Sequence, residues 1–141
     1  MVLGVGIDLQ EISEFRRTLE RAGEPYIQRV FTAAEIAYCR AKPDSSSSFA
    51  VRFAAKEAAI KALGIAGMEG LNWHDFEISM ATSGCPSMTL GGVAGRHASE
   101  KGVTSLIISL THSRSTAGAV AIAETPSTAS DVSPSLYRHA V

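Results

Sequence analysis

Two acidic residues of this chain stand among apolar neighbours, where a carboxylate requires a positive partner. Glu57 lies within residues 53–64, a segment of strong helix formers that ends in a glycine. At about 100° per residue, Glu57 falls roughly 40° from Phe53 and on the same side as Ile60. The opposite side carries only the alanines Ala55, Ala58, Ala59 and Ala62. The helical wheel therefore predicts that Glu57 lies beside the bulky residues that anchor the core.

The second acid, Asp8, ends the apolar run of residues 2–7. Burying a carboxylate costs several kcal/mol unless it is paired or binds a metal. Lys61, one helical turn after Glu57, is one available cation. An ordinary amphipathic helix with an exposed Glu57–Lys61 pair and a solvated Lys56 would also explain the helix taken alone. Two such isolated acids favour one shared site.

Composition limits the class of protein to which this site belongs. A chain of 141 residues is normally one domain with a substantial core. With 45% hydrophobic and 19% charged residues it is globular, and a net charge of -1 argues against general nucleic-acid binding. No basic segment precedes the first apolar run, and no run approaches the ~20 residues that span a bilayer. We expect a cytoplasmic protein without a nucleic-acid or membrane partner.

Cysteine and histidine offer no recognisable metal site. Cys39 and Cys85 are far apart in the sequence, and the four histidines form no paired ligand motif. Carboxylates are then the expected ligands of any metal, which favours a hard ion such as Mg²⁺.

Apolar spacing predicts the elements that position these residues. Helices are expected from Ile12 to Gly23, over a short segment capped by Thr32 and Glu35, and from near Phe49 to Lys61. Further elements are expected as strands over residues 2–9, 73–80, 87–90, 105–112 and 117–124, and as a helix over residues 93–101. The serine-rich stretch 43–48 is expected to form a flexible loop.

The order β-α-α-α-β-β-α-β-β predicts an α+β fold, a single domain with helices packed on one face of a mainly antiparallel sheet. The domain is expected to cover residues 1–124. The Ser/Pro/Thr-rich tail, residues 125–141, is expected to be disordered or loosely docked. His112 ends the penultimate predicted strand, where it could contact a ligand or be a half-exposed turn residue.

Taken together, these motifs resemble the holo-[acyl-carrier-protein] synthases, a family of small 4'-phosphopantetheinyl transferases. Residues 4–9 are similar to the family's opening strand, G-x-G-x-D-I/L, and residues 52–64 to its helix, R-F-A-x-K-E-A-x-x-K-A-x-G. Residues 31–35 resemble the L/F-T-x-x-E element, residues 84–86 the G-K-P turn, and residues 109–124 the closing hairpin. The resemblance covers about residues 2–124.

The resemblance implies transfer of 4'-phosphopantetheine from coenzyme A to a serine of apo acyl carrier protein, with adenosine 3',5'-bisphosphate as the other product. By the motif match, Asp8 and Glu57 would hold Mg²⁺ at the pyrophosphate, and Lys61 would stabilise or protonate the leaving group. A carboxylate or a metal-bound water near Glu57 would accept the serine proton. The basic residues along the coenzyme A cleft would be Arg52, Lys56, Lys61 and His112, the last near the 3'-phosphate.

Members of this size are homotrimers with active sites between subunits, so the resemblance also implies a trimer. The small side chains of Ala117, Ala119 and Ala121 would allow close approach of a neighbouring subunit, and they would serve packing within the chain equally well.

The chain departs from the family pattern at two positions. Glu14 replaces an arginine expected to contact the carrier protein, and Cys85 replaces the basic residue of the G-K-P turn. Arg16, Arg17 and Arg21 could compensate by attracting an acidic carrier helix, or could be ordinary solvated residues.

Two other functions are considered. A broader-range transferase for polyketide or peptide synthetase carriers usually has two similar halves, and this chain has no internal repeat. A noncatalytic module that binds coenzyme A or a carrier would not need Asp8, Glu57 and Lys61 intact.

Overall fold

The structure is a computed structural model and describes residues 1–67 and 70–127. The strands of this part are β1 (Val2–Glu11), β2 (Phe76–Met80), β3 (Pro86–Leu90), β4 (Ser105–His112) and β5 (Thr116–Glu124). The helices are α1 (Ile12–Val30), α2 (Ala33–Arg40), α3 (Ser45–Ala62) and α4 (Gly92–Glu100), with a 3-10 turn over Trp73–Asp75. The predicted order of elements is confirmed.

The strands form two antiparallel sheets. One has the order β1-β5-β4, and β2 pairs with β3 as a separate hairpin. Residues paired across neighbouring strands share a face, so Asp8, Ala119 and Leu110 form one row and Gln10, Ala117 and His112 form the next. Helix α3 packs on this face, which confirms the predicted α+β fold.

Helix α3 contacts the sheet through its small residues. A Cβ atom at Gly6 would overlap the carbonyl oxygen of Ala58, and one at Gly4 would overlap that of Ala62. The absence of side chains at both glycines lets the helix backbone lie directly on β1. The alanine side of α3 is therefore a buried packing surface.

The bulky side of α3 is covered as well. The ring of Phe53 contacts Phe15 at 5.3 Å and Trp73 at 5.1 Å between centroids. The helical wheel predicted core residues on this bulky side, and the alanine side is buried as well, because α3 is enclosed between the sheet and a second apolar layer. Glu57 lies half-buried between these two surfaces.

The two faces of the three-stranded sheet differ in exposure. Ala117, Ala119 and Ala121 are at most 4% exposed and pack within the chain, beneath α3. Of the two alternatives that the sequence left open for these alanines, packing within the chain is the one observed. The opposite face carries exposed apolar residues, each between 50% and 65% exposed: Val5, Ile7, Leu9 and Ile107.

Three helix boundaries follow from local chemistry. Helix α1 continues past the predicted end through a kink at Gly23, whose φ of 67° and ψ of -160° interrupt the helical backbone. Helix α3 begins earlier than predicted, because the Asp44 carboxylate accepts a hydrogen bond from the Ser47 backbone N–H at 3.2 Å. The serine-rich stretch is thus the first turn of α3. The predicted stop at Gly64 is confirmed by its φ of 63°.

The predicted domain boundary falls where β5 ends, at Glu124. The Thr125 N–H still donates to the Met1 carbonyl at 2.9 Å. The prediction for the rest of the tail concerns residues 128–141, which lie outside the described part. None of the helices described is long and apolar enough to cross a bilayer.

Candidate active site

Asp8 and Lys61 meet between β1 and α3. The Lys61 ammonium donates to Asp8 Oδ1 at 2.9 Å and to the carbonyl oxygen of Ile7 at 2.9 Å. The Asp8 side chain is 14% exposed, whereas that of Lys61 is 50% exposed. The isolated acid of β1 therefore has the cationic partner that its burial requires, and this partner retains access to solvent.

Glu57 belongs to the same group. Burial raises the pKa of its carboxyl, the negative charge of Asp8 raises this pKa further, and Lys61 lowers it in part. The two acids are therefore close enough to repel each other, and Lys61 is hydrogen-bonded to Asp8. A pair of carboxylates that share one lysine still has a deficit of positive charge.

This donor set fits Mg²⁺. The described residues contain no cluster of three or more His, Cys, Asp or Glu side chains, so the protein offers two carboxylates. Mg²⁺ is usually bound by one or two carboxylates together with phosphate oxygens and waters. The unbalanced charge of Asp8 and Glu57 is suited to such an ion.

Gln10 is a member of this group that the sequence analysis missed. Its Nε2 atom donates to Asp8 Oδ2 at 2.7 Å. The signal available in the sequence was the two-residue spacing, which places both side chains on one face of a strand.

A cleft of about 800 Å³ lies on the other flank of α3, near the end of β4. Its lining contains four basic residues, Lys42, Arg52, His112 and Arg114. The lining also includes apolar residues, among them Val51, Met80 and Leu110, and one acid, Asp44. A cleft with an apolar floor and several cations is suited to an anionic ligand with a carbon-rich body.

Arg52 is fixed within this cleft. Its side chain donates to the Ser48 carbonyl at 3.3 Å and to the Ser48 hydroxyl at 3.0 Å, and its guanidinium lies 4.1 Å from the ring centre of Tyr38. The buried Nε atom has no hydrogen-bond partner among the described residues. His112 is exposed at the edge of the cleft. The structure thus brings the predicted residues Arg52 and His112 together.

Lys56 lies elsewhere. Its side chain is 0% exposed, and its ammonium donates to Glu35 Oε2 at 2.8 Å, to the Val30 carbonyl at 2.8 Å and to the Trp73 carbonyl at 3.1 Å. Lys56 therefore does not line the cleft, because all three of its N–H donors are used inside the core. The expectation of a solvated Lys56 is also wrong.

The comparisons with known proteins decide the family. The model of the 4'-phosphopantetheinyl transferase superfamily matches residues 4–121. The chain belongs to this superfamily.

Relatives within the superfamily match most of this chain and share its fold. The holo-[acyl-carrier-protein] synthase of Desulforudis audaxviator is 44% identical over 90% of this chain and 96% of its own length. That of Solibacter usitatus is 42% identical over 79% and 90%, respectively. The Helicobacter pylori synthase, solved in complex with coenzyme A, is 30% identical with a TM-score of 0.75, and covers 85% of this chain and 99% of its own. The predicted family and fold are confirmed.

The departures from the superfamily motifs are at the surface. Glu14 and Cys85 are exposed. Of the arginines on α1, Arg16 is 3.5 Å from Asp44, while Arg17 and Arg21 are exposed. Arg17 and Arg21 are therefore available at the surface of α1 despite Glu14, with the exposed acid Glu20 between them.

The acid group and the cleft lie on different flanks of α3. Arg52 and Glu57 are five residues apart, which rotates one side chain about 140° from the other around the helix. Asp8, Glu57 and Lys61 are not part of the cleft lining. One chain therefore holds two half-sites that the thickness of a buried helix separates.

Proposed function

We propose that this chain transfers 4'-phosphopantetheine from coenzyme A to a serine of apo acyl carrier protein. The observation that carries the proposal is the convergence of Asp8, Glu57 and Lys61, with Lys61 bonded to Asp8 at 2.9 Å, in a chain whose relatives are named holo-[acyl-carrier-protein] synthase.

In the proposed reaction, the serine oxygen attacks the phosphorus that carries pantetheine. The bond from this phosphorus to the bridging pyrophosphate oxygen breaks, and adenosine 3',5'-bisphosphate leaves with the electron pair. Lys61 is half exposed and is placed to donate to an oxygen of the leaving phosphate. Glu57 is the half-buried carboxylate beside Asp8 and Lys61, and we assign the serine proton to it.

Asp8 and Glu57 are the residues that would hold Mg²⁺. When bound, the ion would neutralise charge that develops on the pyrophosphate oxygens. The fit rests on two partly buried carboxylates and one shared lysine.

The cleft is proposed to receive the adenosine end of coenzyme A. Arg52 has an unpartnered Nε in a buried side chain, which favours a contact with a phosphate oxygen. His112 and Arg114 lie at the same cleft, where the Arg114 guanidinium adds positive charge. We assign Arg52 and His112 to the 3'-phosphate, and we do not assign Lys56 to coenzyme A.

The first experiment measures the intact mass of apo acyl carrier proteins after incubation with the chain and coenzyme A. We expect a gain of one phosphopantetheine that EDTA abolishes and that Mg²⁺ restores. A fatty-acid carrier and carriers from polyketide and peptide synthetases are compared, because modification of all at similar rates would indicate a broader-range enzyme. No mass gain with any carrier would overturn the proposed reaction.

We propose further that the chain acts as a homotrimer with each active site shared by two chains. Two facts support this. The acid group and the cleft of one chain lie on different flanks of α3, so one chain does not bring them together. The sheet face away from α3 exposes an apolar row, formed by Val5 of β1, Ile107 of β4 and the half-buried Ile122 of β5. Apolar rows of this kind are typical of obligate interfaces.

Val5→Asp should convert the trimer into a folded monomer that does not transfer phosphopantetheine to the carrier. Val5 is 59% exposed, so a charge there is tolerated in one chain but is buried in an assembly. Light scattering gives the mass, and circular dichroism gives the fold. Thr89→Asp, at an exposed position of β3, is the control and should leave the mass unchanged. A monomeric Val5→Asp protein with normal transfer would contradict the shared site.

The carrier partner is proposed to approach the surface of α1 at the exposed residues Arg17 and Arg21.

We place the reaction in the cytoplasm. The two cysteines support this location, because both are free thiols and only Cys85 is exposed.

A further inference from the structure

Asp8 is held by a hydrogen bond at each of its two carboxylate oxygens. Lys61 donates to Oδ1 at 2.9 Å, and Gln10 Nε2 donates to Oδ2 at 2.7 Å. An ionised carboxylate has about four lone-pair positions, so each oxygen keeps room for another ligand. The two hydrogen bonds together fix the plane of the carboxylate.

The two donors differ in how firmly they are placed. Lys61 is 50% exposed on a flexible four-carbon chain, and in the proposed reaction it donates to a phosphate oxygen. Gln10 is partly buried on β1, and its strand position is set by pairing with Ala117 of β5. When Lys61 changes partner, the hydrogen bond from Gln10 is the one side-chain contact within residues 1–67 and 70–127 that continues to orient Asp8.

We propose that Gln10 is a positioning residue that keeps the Asp8 carboxylate oriented while Lys61 exchanges Asp8 for the phosphate. The inference rests on the proposed function and on the assignment of Asp8 as a ligand of Mg²⁺. Residues that orient a metal ligand in this way affect metal affinity more than they affect the fold.

Side-chain length explains why glutamine suits this position. Asp8 and Gln10 point to the same face two residues apart on an extended strand, so their Cβ atoms are separated by roughly 7 Å. A glutamine can reach back over this distance, and the small Ala117 beside it in the row leaves space for it to do so. Asparagine is one methylene shorter, and methionine matches the length of glutamine but has no donor.

The experiment compares Gln10→Met and Gln10→Asn with the unchanged chain in two measurements. The first is the Mg²⁺ concentration that gives half of the full transfer rate. The second is the Mg²⁺ concentration that gives half of the rise in Tm caused by coenzyme A, without any carrier present. We expect both concentrations to rise about 10-fold in each variant. The Tm without ligands and kcat at saturating Mg²⁺ should change little.

Gln28→Met is the matched control, because Gln28 also donates to a carboxylate, that of Glu24 at 3.1 Å, on an exposed helix surface. It should leave both Mg²⁺ concentrations unchanged. Unchanged Mg²⁺ dependence in Gln10→Met would overturn the positioning role while leaving the proposed function intact. Absence of Mg²⁺-dependent transfer by the unchanged chain would overturn the proposed function itself, so the two failures are distinguishable.

Discussion

Asp8→Asn and Glu57→Gln should each lower kcat/KM for carrier modification by about 10³-fold or more, since each removes a charged ligand from a site where charge develops in the transition state. Both substitutions keep the shape of the side chain. In Asp8→Asn, the amide oxygen of the introduced side chain could still accept the hydrogen bond from Lys61, which in the unchanged chain is 2.9 Å long. The fold should therefore survive, and the loss should appear in transfer alone. The rate of mass gain of the carrier, at several Mg²⁺ concentrations, measures the effect.

Glu100→Gln is the control for this pair of variants, because Glu100 is an exposed carboxylate at the end of α4. It should retain full transfer. Near-normal turnover by either Asp8→Asn or Glu57→Gln would contradict the assignment of the two acids. The same result would leave the family membership untouched, because that rests on the match over residues 4–121.

The sequence predicted the local structure well where side-chain and backbone chemistry act over a few residues. The Thr32 and Glu35 capping box is present, with the Glu35 carboxylate accepting from the Thr32 N–H at 2.9 Å. Gly64 ends α3 with a positive φ, as predicted. Signals of this kind depend on neighbours in the sequence and need no knowledge of tertiary contacts.

The buried side of α3 was not predictable from its own sequence. On a helical wheel, the side with large apolar residues is expected to face the core. This expectation holds only when the surface that packs against the helix carries side chains, so that small residues do not make the closest contact. Here β1 presents Gly4 and Gly6, so the alanines form the closest contact of the helix with the sheet. The information that decides the packing therefore lies in another segment of the chain.

The site was predicted in part for a similar reason. Asp8 and Glu57 stood out as acids in apolar surroundings and Lys61 as a cation one turn from Glu57, and the motif resemblance supplied their expected roles. The hydrogen bond from Gln10 to Asp8 and the separation of Arg52 from Glu57 by α3 are tertiary geometry. The position predicted for Lys56, along the cleft, differs from the observed one because its partner Glu35 is 21 residues away in sequence, and no local pattern indicates that pairing.

The buried Lys56–Glu35 pair joins several segments of the chain. Lys56 donates to Glu35 and to the carbonyls of Val30 and Trp73, while Glu35 Oε1 accepts from the Ile78 N–H at 2.8 Å. Burial lowers the pKa of Lys56, and the negative charge of Glu35 opposes that change. The pair thus ties α3 to the end of α1, to α2 and to β2.

Lys56→Met should be the most destabilising of these substitutions. It leaves the carboxylate of Glu35 buried without a cation and two carbonyls without a donor, a loss of about 3–5 kcal/mol when one partner of a buried pair is removed. Since small domains unfold with about 5–15 kcal/mol, the variant should lose a large part of its stability. Urea unfolding followed by circular dichroism measures the change.

Lys61→Met provides the matched comparison on the same helix. Lys61 is half exposed, and the partly buried Asp8 carboxylate keeps its hydrogen bond from Gln10, so removal of Lys61 should lower the free energy of unfolding by about 1–2 kcal/mol, less than removal of Lys56. The two variants should therefore have different defects: Lys56→Met should lose stability, and Lys61→Met should lose phosphopantetheine transfer. If Lys56→Met were as stable as the unchanged chain but had a raised KM for coenzyme A, the core role would be refuted and the cleft role implied by the family resemblance would replace it. The Lys56 ammonium, which is next to Glu57 in the sequence, would then contact coenzyme A, and the core around it would have to open when coenzyme A binds.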